Sequence, residues 1–281
     1  MKKAAFLLAL ALGLSSYSYA QIQTPQASPA ASVAQTVGLA KVSVSYSRPA
    51  LKGRKMFGDQ VPYGKVWRTG ANMATKLTVS EEVTVNGQKV PAGSYGIFTI
   101  PNANEWTVIL SKDANIFGAF EYKEANDQLR FTVKPEKLRT PAEFFTVEFV
   151  DFTPTQAKLA IRWENVQISF PIEHNPDEKI MAQIKEELAK PNPNPGIYFA
   201  AADYYYQTNR DLKQALAWAN KVVDNDKKYW TYYLRGKIAA KLGECQLATA
   251  DANTGLDLAR KAGDDAYIKN HQRVLAECGK K

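Results

Sequence analysis

Between Val42 and Ile172 apolar side chains fall at every second position, as in Val42, Val44 and Tyr46, in Trp106, Val108 and Leu110, in Phe145, Val147 and Phe149, and in Ile168, Phe170 and Ile172. A helix, whose faces repeat about every 3.6 residues, cannot bury such a set on one side, whereas a strand can. Asn86-Gly87, between Val83-Thr84-Val85 and Lys89-Val90, supplies the two residues tolerant of positive φ that a tight hairpin needs. Pro91-Ala92-Gly93, Pro101-Asn102-Ala103-Asn104 and Pro154-Thr155 punctuate the other apolar runs. The spacing predicts eight or nine short strands without helical crossovers, hence an antiparallel β-sandwich, with a barrel as the alternative.

Near residue 175 the pattern changes. Asn175 is placed to cap a helix, Pro176 suits its first position, and Glu178 stands where a capping-box partner belongs. Ile180, Ile184 and Leu188 then share one face, so a linking helix is expected over 176–190, stopped by Pro191-Asn192-Pro193-Asn194-Pro195. Beyond it runs a 33-residue repeat: Ala202, Leu212, Ala215, Ala219 and Val222 correspond to Arg235, Cys245, Ala248, Ala252 and Gly255. Small residues at these spacings let helices approach closely, as in helix-turn-helix arrays. The second copy is similar to a tetratricopeptide unit at Tyr232, Gly236, Ala239, Gly243, Ala248 and Ala252, whereas the first departs at Asp203 and Arg210. The expectation is therefore a multidomain β + α chain: a β-sandwich over 33–175, the linking helix, and a short tetratricopeptide-like repeat domain over 191–281 that ends in a helix from Asp264 to Cys278.

Lys2 and Lys3, the apolar stretch Ala4 to Leu14 and the small-x-small triplet Ser18-Tyr19-Ala20 read as a signal peptide cleaved after Ala20. A flexible leader is expected over 21–32, and the mature chain is expected in the periplasm or outside the cell with no transmembrane segment. Cys245 and Cys278 are the two cysteines. They fall at the start of one predicted helix and the end of the antiparallel helix that follows, and an oxidising compartment favours a disulfide between them.

The net charge of +8 is unevenly spread. Residues 41–76 hold eight basic side chains against one acid, Asp59, so the rest of the predicted sandwich is net acidic. Neither domain is basic enough to imply nucleic acid. A concentrated positive stretch punctuated by glycine and aromatic residues suggests a surface that reads anions or polar ligands.

Within that stretch, Tyr46-Ser47-Arg48-Pro49, Lys52-Gly53-Arg54, Phe57-Gly58, Val61-Pro62-Tyr63-Gly64, Trp67-Arg68-x-Gly70-Ala71-Asn72 and Ala74-Thr75 form a motif. With Val90-Pro91-Ala92-Gly93, Phe98-Thr99-Ile100-Pro101 and Glu105-Trp106-Thr107, it resembles the signature of a secreted bacterial family, domain of unknown function 2911, over residues 24 to 175. The resemblance implies an exported, β-rich fold and carries no assigned activity.

Two readings of the motif stand side by side. Arg48, Arg54 and Arg68 offer planar forks for a carboxylate or phosphate, and Lys52 offers a point charge. Tyr63 and Trp67 can stack on a sugar or flat ring that Asn72 and Thr75 orient. Equally, a connection running from Arg48 to Ala74 has to fold back over a sheet edge, where arginines bond loop carbonyls and Trp67 plugs the core. The same duality holds for Tyr198, Tyr204, Tyr205, Tyr206, Trp218, Trp230, Tyr232 and Tyr233, which form either a peptide-binding groove or inter-helix packing.

Catalytic patterns are sparse. His174 and His271 lie in different predicted domains, and the sequence holds neither HExxH nor GxSxG. Acids brought together by folding, among Glu105, Asp113, Glu121 and Asp127, keep a glycosidase-like pair open. No metal or cofactor is expected. The leading expectation is an exported, non-enzymatic binding or scaffold protein with an anionic or glycan ligand at the basic loop and a peptide or protein partner at the helical repeats. A carboxylate-dependent hydrolase of envelope glycans or esters is the competing class, and a purely structural envelope component is the third.

Overall fold

The computed structural model describes residues 24–280, so the signal-peptide segment lies outside the described residues. The chain divides into two compact units between Asn175 and Pro176.

Among the described residues the first unit holds ten strands: β1 Ala30–Val37, β2 Ala40–Ser47, β3 Thr75–Val79, β4 Val83–Val85, β5 Gln88–Val90, β6 Gly93–Ile100, β7 Trp106–Ser111, β8 Asp127–Val133, β9 Glu136–Thr153 and β10 Gln156–Glu173. They form two sheets, ordered β1-β2-β3-β6-β7-β8 and β5-β4-β10-β9, with every ladder antiparallel. Alternation explains the interior: Val42, Val44, Leu77, Ile97 and Val108 of one sheet are buried in the same core as Phe145, Val147, Leu159, Ile168 and Phe170 of the other. The sheets touch directly where the Tyr46 ring meets Phe145 edge-on at 5.8 Å and Phe131 meets Phe170 at 5.2 Å. Asn86 and Gly87 take φ of 47° and 80° to turn β4 into β5.

Two departures have local causes. β1 begins at Ala30, inside the stretch read as leader, because pairing with β2 gives its uncharged residues a ladder. β9 and β10 run 18 residues each rather than being short. Their ladder survives through register shifts around Glu164, whose φ of 54° bends the strand without ending it.

The six-stranded sheet is covered on its outer face too. Phe98 and Ile109 point away from the main core and pack with Ala74, against which Val66, Ile100, Ile116, Ala119 and Tyr122 close. The cover is made by two loops, one leading to β3 and one between β7 and β8. Backbone bonds hold them: Trp67 N–H donates to Thr99 O at 2.8 Å, Thr99 N–H donates to Trp67 O at 2.9 Å, Ala74 N–H donates to Ile116 O at 3.0 Å, and Gly118 N–H donates to Asn72 O at 3.1 Å.

The second unit contains six helices: α1 Asp177–Leu188, α2 Pro195–Gln207, α3 Leu212–Asn225, α4 Tyr229–Leu242, α5 Cys245–Ala262 and α6 Asp265–Cys278. α1 starts one residue later than expected, with Pro176 at the cap position rather than at the first helical position. Asn194 caps α2, accepting from Gly196 N–H at 2.9 Å with Pro195 in the first turn. Ala202, Ala215, Ala219, Ala239, Ala248 and Ala252 let these helices approach around Leu234, Ile238 and Val274. Arg235, the large counterpart of Ala202 in the repeat, is accommodated by a two-pronged bond to the buried Asp251 at 2.7 Å on each prong. Cys245 and Cys278 are joined by a disulfide with Cα atoms 5.2 Å apart.

Candidate functional site

The three motif arginines meet different fates. Arg54 spends its donors on its own loop, Nε on Leu51 O at 2.9 Å and Nη2 on Ala50 O at 2.7 Å. Arg48 donates from Nη2 to Thr146 Oγ1 on β9 at 3.0 Å. Arg68 is half-buried, its Nε is sealed from solvent, and among the described residues its guanidinium has no hydrogen-bond or ion-pair partner. Burial pulls its pKa below the ordinary guanidinium value, yet a guanidinium remains charged at neutral pH.

Other motif residues serve the loop. Trp67 is only 9% exposed, stacked on Trp163 at 5.9 Å and met edge-on by Phe57, Trp106 and Phe145. It plugs the core rather than presenting a stacking platform. Thr75 is buried too, its hydroxyl donating to Thr69 O, whereas Trp67 still contributes to the lining of the cleft beside Arg68. Asn72, at φ 59°, donates to Ser47 Oγ at 3.3 Å and Ser28 O at 3.4 Å. The Lys52 ammonium is on an exposed residue whose backbone N–H is held by Glu143 at 2.9 Å. Tyr63 is exposed, with one edge of its ring over Gly58. Glu164 accepts from Met56 and Phe57 N–H at 3.1 Å each. Acids of β9 and β10 thus staple the basic loop through its backbone, not through its cations.

Beside Arg68 opens a cleft of about 210 Å³, with Gln60, Lys65, Val66, Ala119 and Phe120 on its walls and no acid among its lining residues. Arg68 was marked in the sequence; Gln60, Lys65 and Phe120 were not. The available signal for Phe120 is the apolar run Ile116-Phe117-Gly118-Ala119-Phe120, which belongs to no strand.

The acids considered for hydrolysis do not converge on this cleft. Asp127 accepts from Tyr122 Oη at 2.9 Å and Arg130 Nε at 3.0 Å, and Asp113 accepts from Asn126 Nδ2 at 2.8 Å. Burial and the neighbouring Asp127 push the Tyr122 pKa up to about 12, so its hydroxyl keeps the proton it donates. Glu105 and Glu121 are exposed.

In the helical unit most of the candidate rings are engaged. Tyr205 packs edge-on against Trp218 at 4.8 Å, Tyr229 against Trp230 at 4.7 Å, and Lys237 lies 4.5 Å over Tyr206 and 5.4 Å over Tyr233 while pairing with Asp203 at 2.7 Å. Among the described residues, no group of three His, Cys, Asp or Glu side chains is placed to hold a metal, and no helix is long and apolar enough to cross a membrane.

The model of a protein family of unknown function, DUF2911, matches residues 28–172, while no curated protein and no solved structure matches the chain. The match covers just over half of the chain, from the residues before β1 almost to the end of β10. The chain therefore belongs to the DUF2911 family of proteins of unknown function.

Proposed function

We propose that the protein is an exported, non-enzymatic binding module that takes an anionic group in the cleft beside Arg68. The observation that carries this reading is the state of Arg68: a guanidinium partly withdrawn from water, one nitrogen sealed, and no acceptor among the described residues. Such a group forfeits hydration without compensation, and an incoming carboxylate, phosphate or sulfate supplies the missing acceptors. Lys65 adds a second charge to the cleft, and the lining lacks the acids that would repel an anion or divide the roles of a hydrolase. The signal-like pattern expected over residues 1–20 and the Cys245–Cys278 pairing are compatible with export. A tetratricopeptide-like role for the helical unit, as a contact surface for a protein partner, rests on its repeat pattern, and the engagement of its rings with one another weighs against it.

Titration calorimetry of the mature chain against a panel of carboxylated, phosphorylated and sulfated sugars and short acids tests the proposal. Arg68→Ala is expected to weaken binding roughly ten- to hundredfold, the value of a charge-assisted pair. Arg139→Ala, which removes the same charge from exposed β9, is expected to leave it unchanged. Equal affinities for wild type and Arg68→Ala would remove the cleft from consideration.

A further inference from the structure

The apolar side of the cleft is as unusual as its charge. Phe120 is 91% exposed and Phe117 62%, although the loop that carries them is anchored by Gly118 N–H on Asn72 O at 3.1 Å, by Ala74 N–H on Ile116 O at 3.0 Å and by the Tyr122–Asp127–Arg130 network. Their exposure is therefore a property of a held loop, not of slack chain. Gly118 sits at φ +71°, and a Cβ placed on it would lie 3.0 Å from the Phe120 ring and 3.8 Å from Arg68 Nη1. The missing side chain thus leaves room for the Phe120 ring against the loop, while the Arg68 guanidinium stands at ordinary contact distance from the same glycine, on the same wall.

We infer that the cleft accepts an amphiphilic anion: a carboxylate or phosphate monoester head on the Arg68 guanidinium, carried on a short alkyl chain or flat ring that lies along Val66, Ala119 and Phe120. This rests on Arg68 being the anion-binding group, as proposed above, and adds the ligand's apolar body. A bare inorganic anion gains nothing from Val66, Ala119 and Phe120 and loses water against them. A wholly apolar guest leaves Arg68 still without an acceptor. One molecule carrying both parts meets both walls, and a cleft of about 210 Å³ suits a small molecule rather than a folded segment. Lys65 and Gln60 at the rim match an anionic head in charge and hydrogen bonding.

The test is a calorimetric series on the mature chain with acetate, hexanoate and octanoate, with inorganic phosphate and octyl phosphate, with octanol, and with phosphatidylglycerol vesicles, repeated for Arg68→Ala and Phe120→Ala. Affinity is expected to rise up to about fourfold per methylene that the cleft buries, to level off when the chain outgrows the cleft, and to rise far less steeply in Phe120→Ala. Octanol is expected to bind more weakly than octanoate by about the factor that Arg68→Ala removes. Acetate and phosphate binding as tightly as their octyl counterparts would overturn the amphiphile and leave the Arg68 anion site standing. Indifference of every anion to Arg68→Ala would overturn that site itself. Vesicle binding without binding of monomeric octanoate or octyl phosphate would also overturn the inference, pointing to a lipid surface instead.

Discussion

Arg54 and Arg68 carry the same guanidinium, fourteen positions apart, and differ only in what surrounds it. Two carbonyls of its own loop satisfy Arg54, so it holds chain; among the described residues no acceptor reaches Arg68, so it is proposed to hold a ligand. Trp67, next to Arg68, shows the third outcome for a motif residue, burial among four other aromatic rings. Trp67→Ala is expected to destabilise the first unit by about 3–5 kcal/mol, as loss of a large core ring does, measured as a fall in the urea midpoint monitored by circular dichroism. A change below 1 kcal/mol would mean that the ring is not core. The sequence marked all three residues as one candidate surface because residue type alone does not separate them. Arginine serves carbonyls and ligands through the same donors, and tryptophan serves cores and sugars through the same face. Only the tertiary placement of Thr99, Trp163 and the Ala50–Leu51 carbonyls separates the roles.

At the level of elements, legibility followed periodicity. The hairpin at Asn86-Gly87 and the helix start at Cys245 are written in local chemistry and sit as read. The length of β9 and β10 was not legible, since Pro154 turns one hairpin rather than ending a run of short strands, and Glu164 bends β10 through a bulge. His271 on α6 was also opaque: it is fully buried against Gly255 of α5, where a Cβ would come within 2.0 Å of its ring, and it bonds Tyr229 O at 3.0 Å. Burial lowers its pKa from the ordinary 6.5, outweighing the Tyr229 bond. The neutral ring therefore belongs to the folded state, and the unfolded chain takes up the proton first. Stability of the helical unit is expected to be full above pH 6.5 and to fall as the pH drops below it, down to the folded pKa. His271→Gln is expected to flatten that slope in denaturant midpoints measured across the range. An unchanged slope in the variant would refute the assignment.

On the scale of the molecule, each unit has its own core, and the disulfide lies wholly within the second. Closing 33 residues is worth ~3–4 kcal/mol on the chain-entropy account. Reduction should therefore raise amide hydrogen exchange in α5 and α6 while leaving β2, β6 and β10 protected; equal loss in both units would contradict that confinement. The broad architecture was readable because alternation, turn residues and small-residue spacing act locally. The cleft was only half readable, because Arg68 belongs to the marked stretch whereas Phe120 reaches it from a loop 52 positions further along the chain. The most direct test of the account is the stability of Arg68→Met, measured by urea unfolding beside its anion binding. If the guanidinium is kept for a ligand, trading it for an unbranched apolar side chain that replaces the aliphatic stem removes an unpaired, half-buried charge, and stability stays level or rises while binding is lost. A loss of more than about 1 kcal/mol, with anion binding intact, would show that Arg68 serves the fold and would contradict the account.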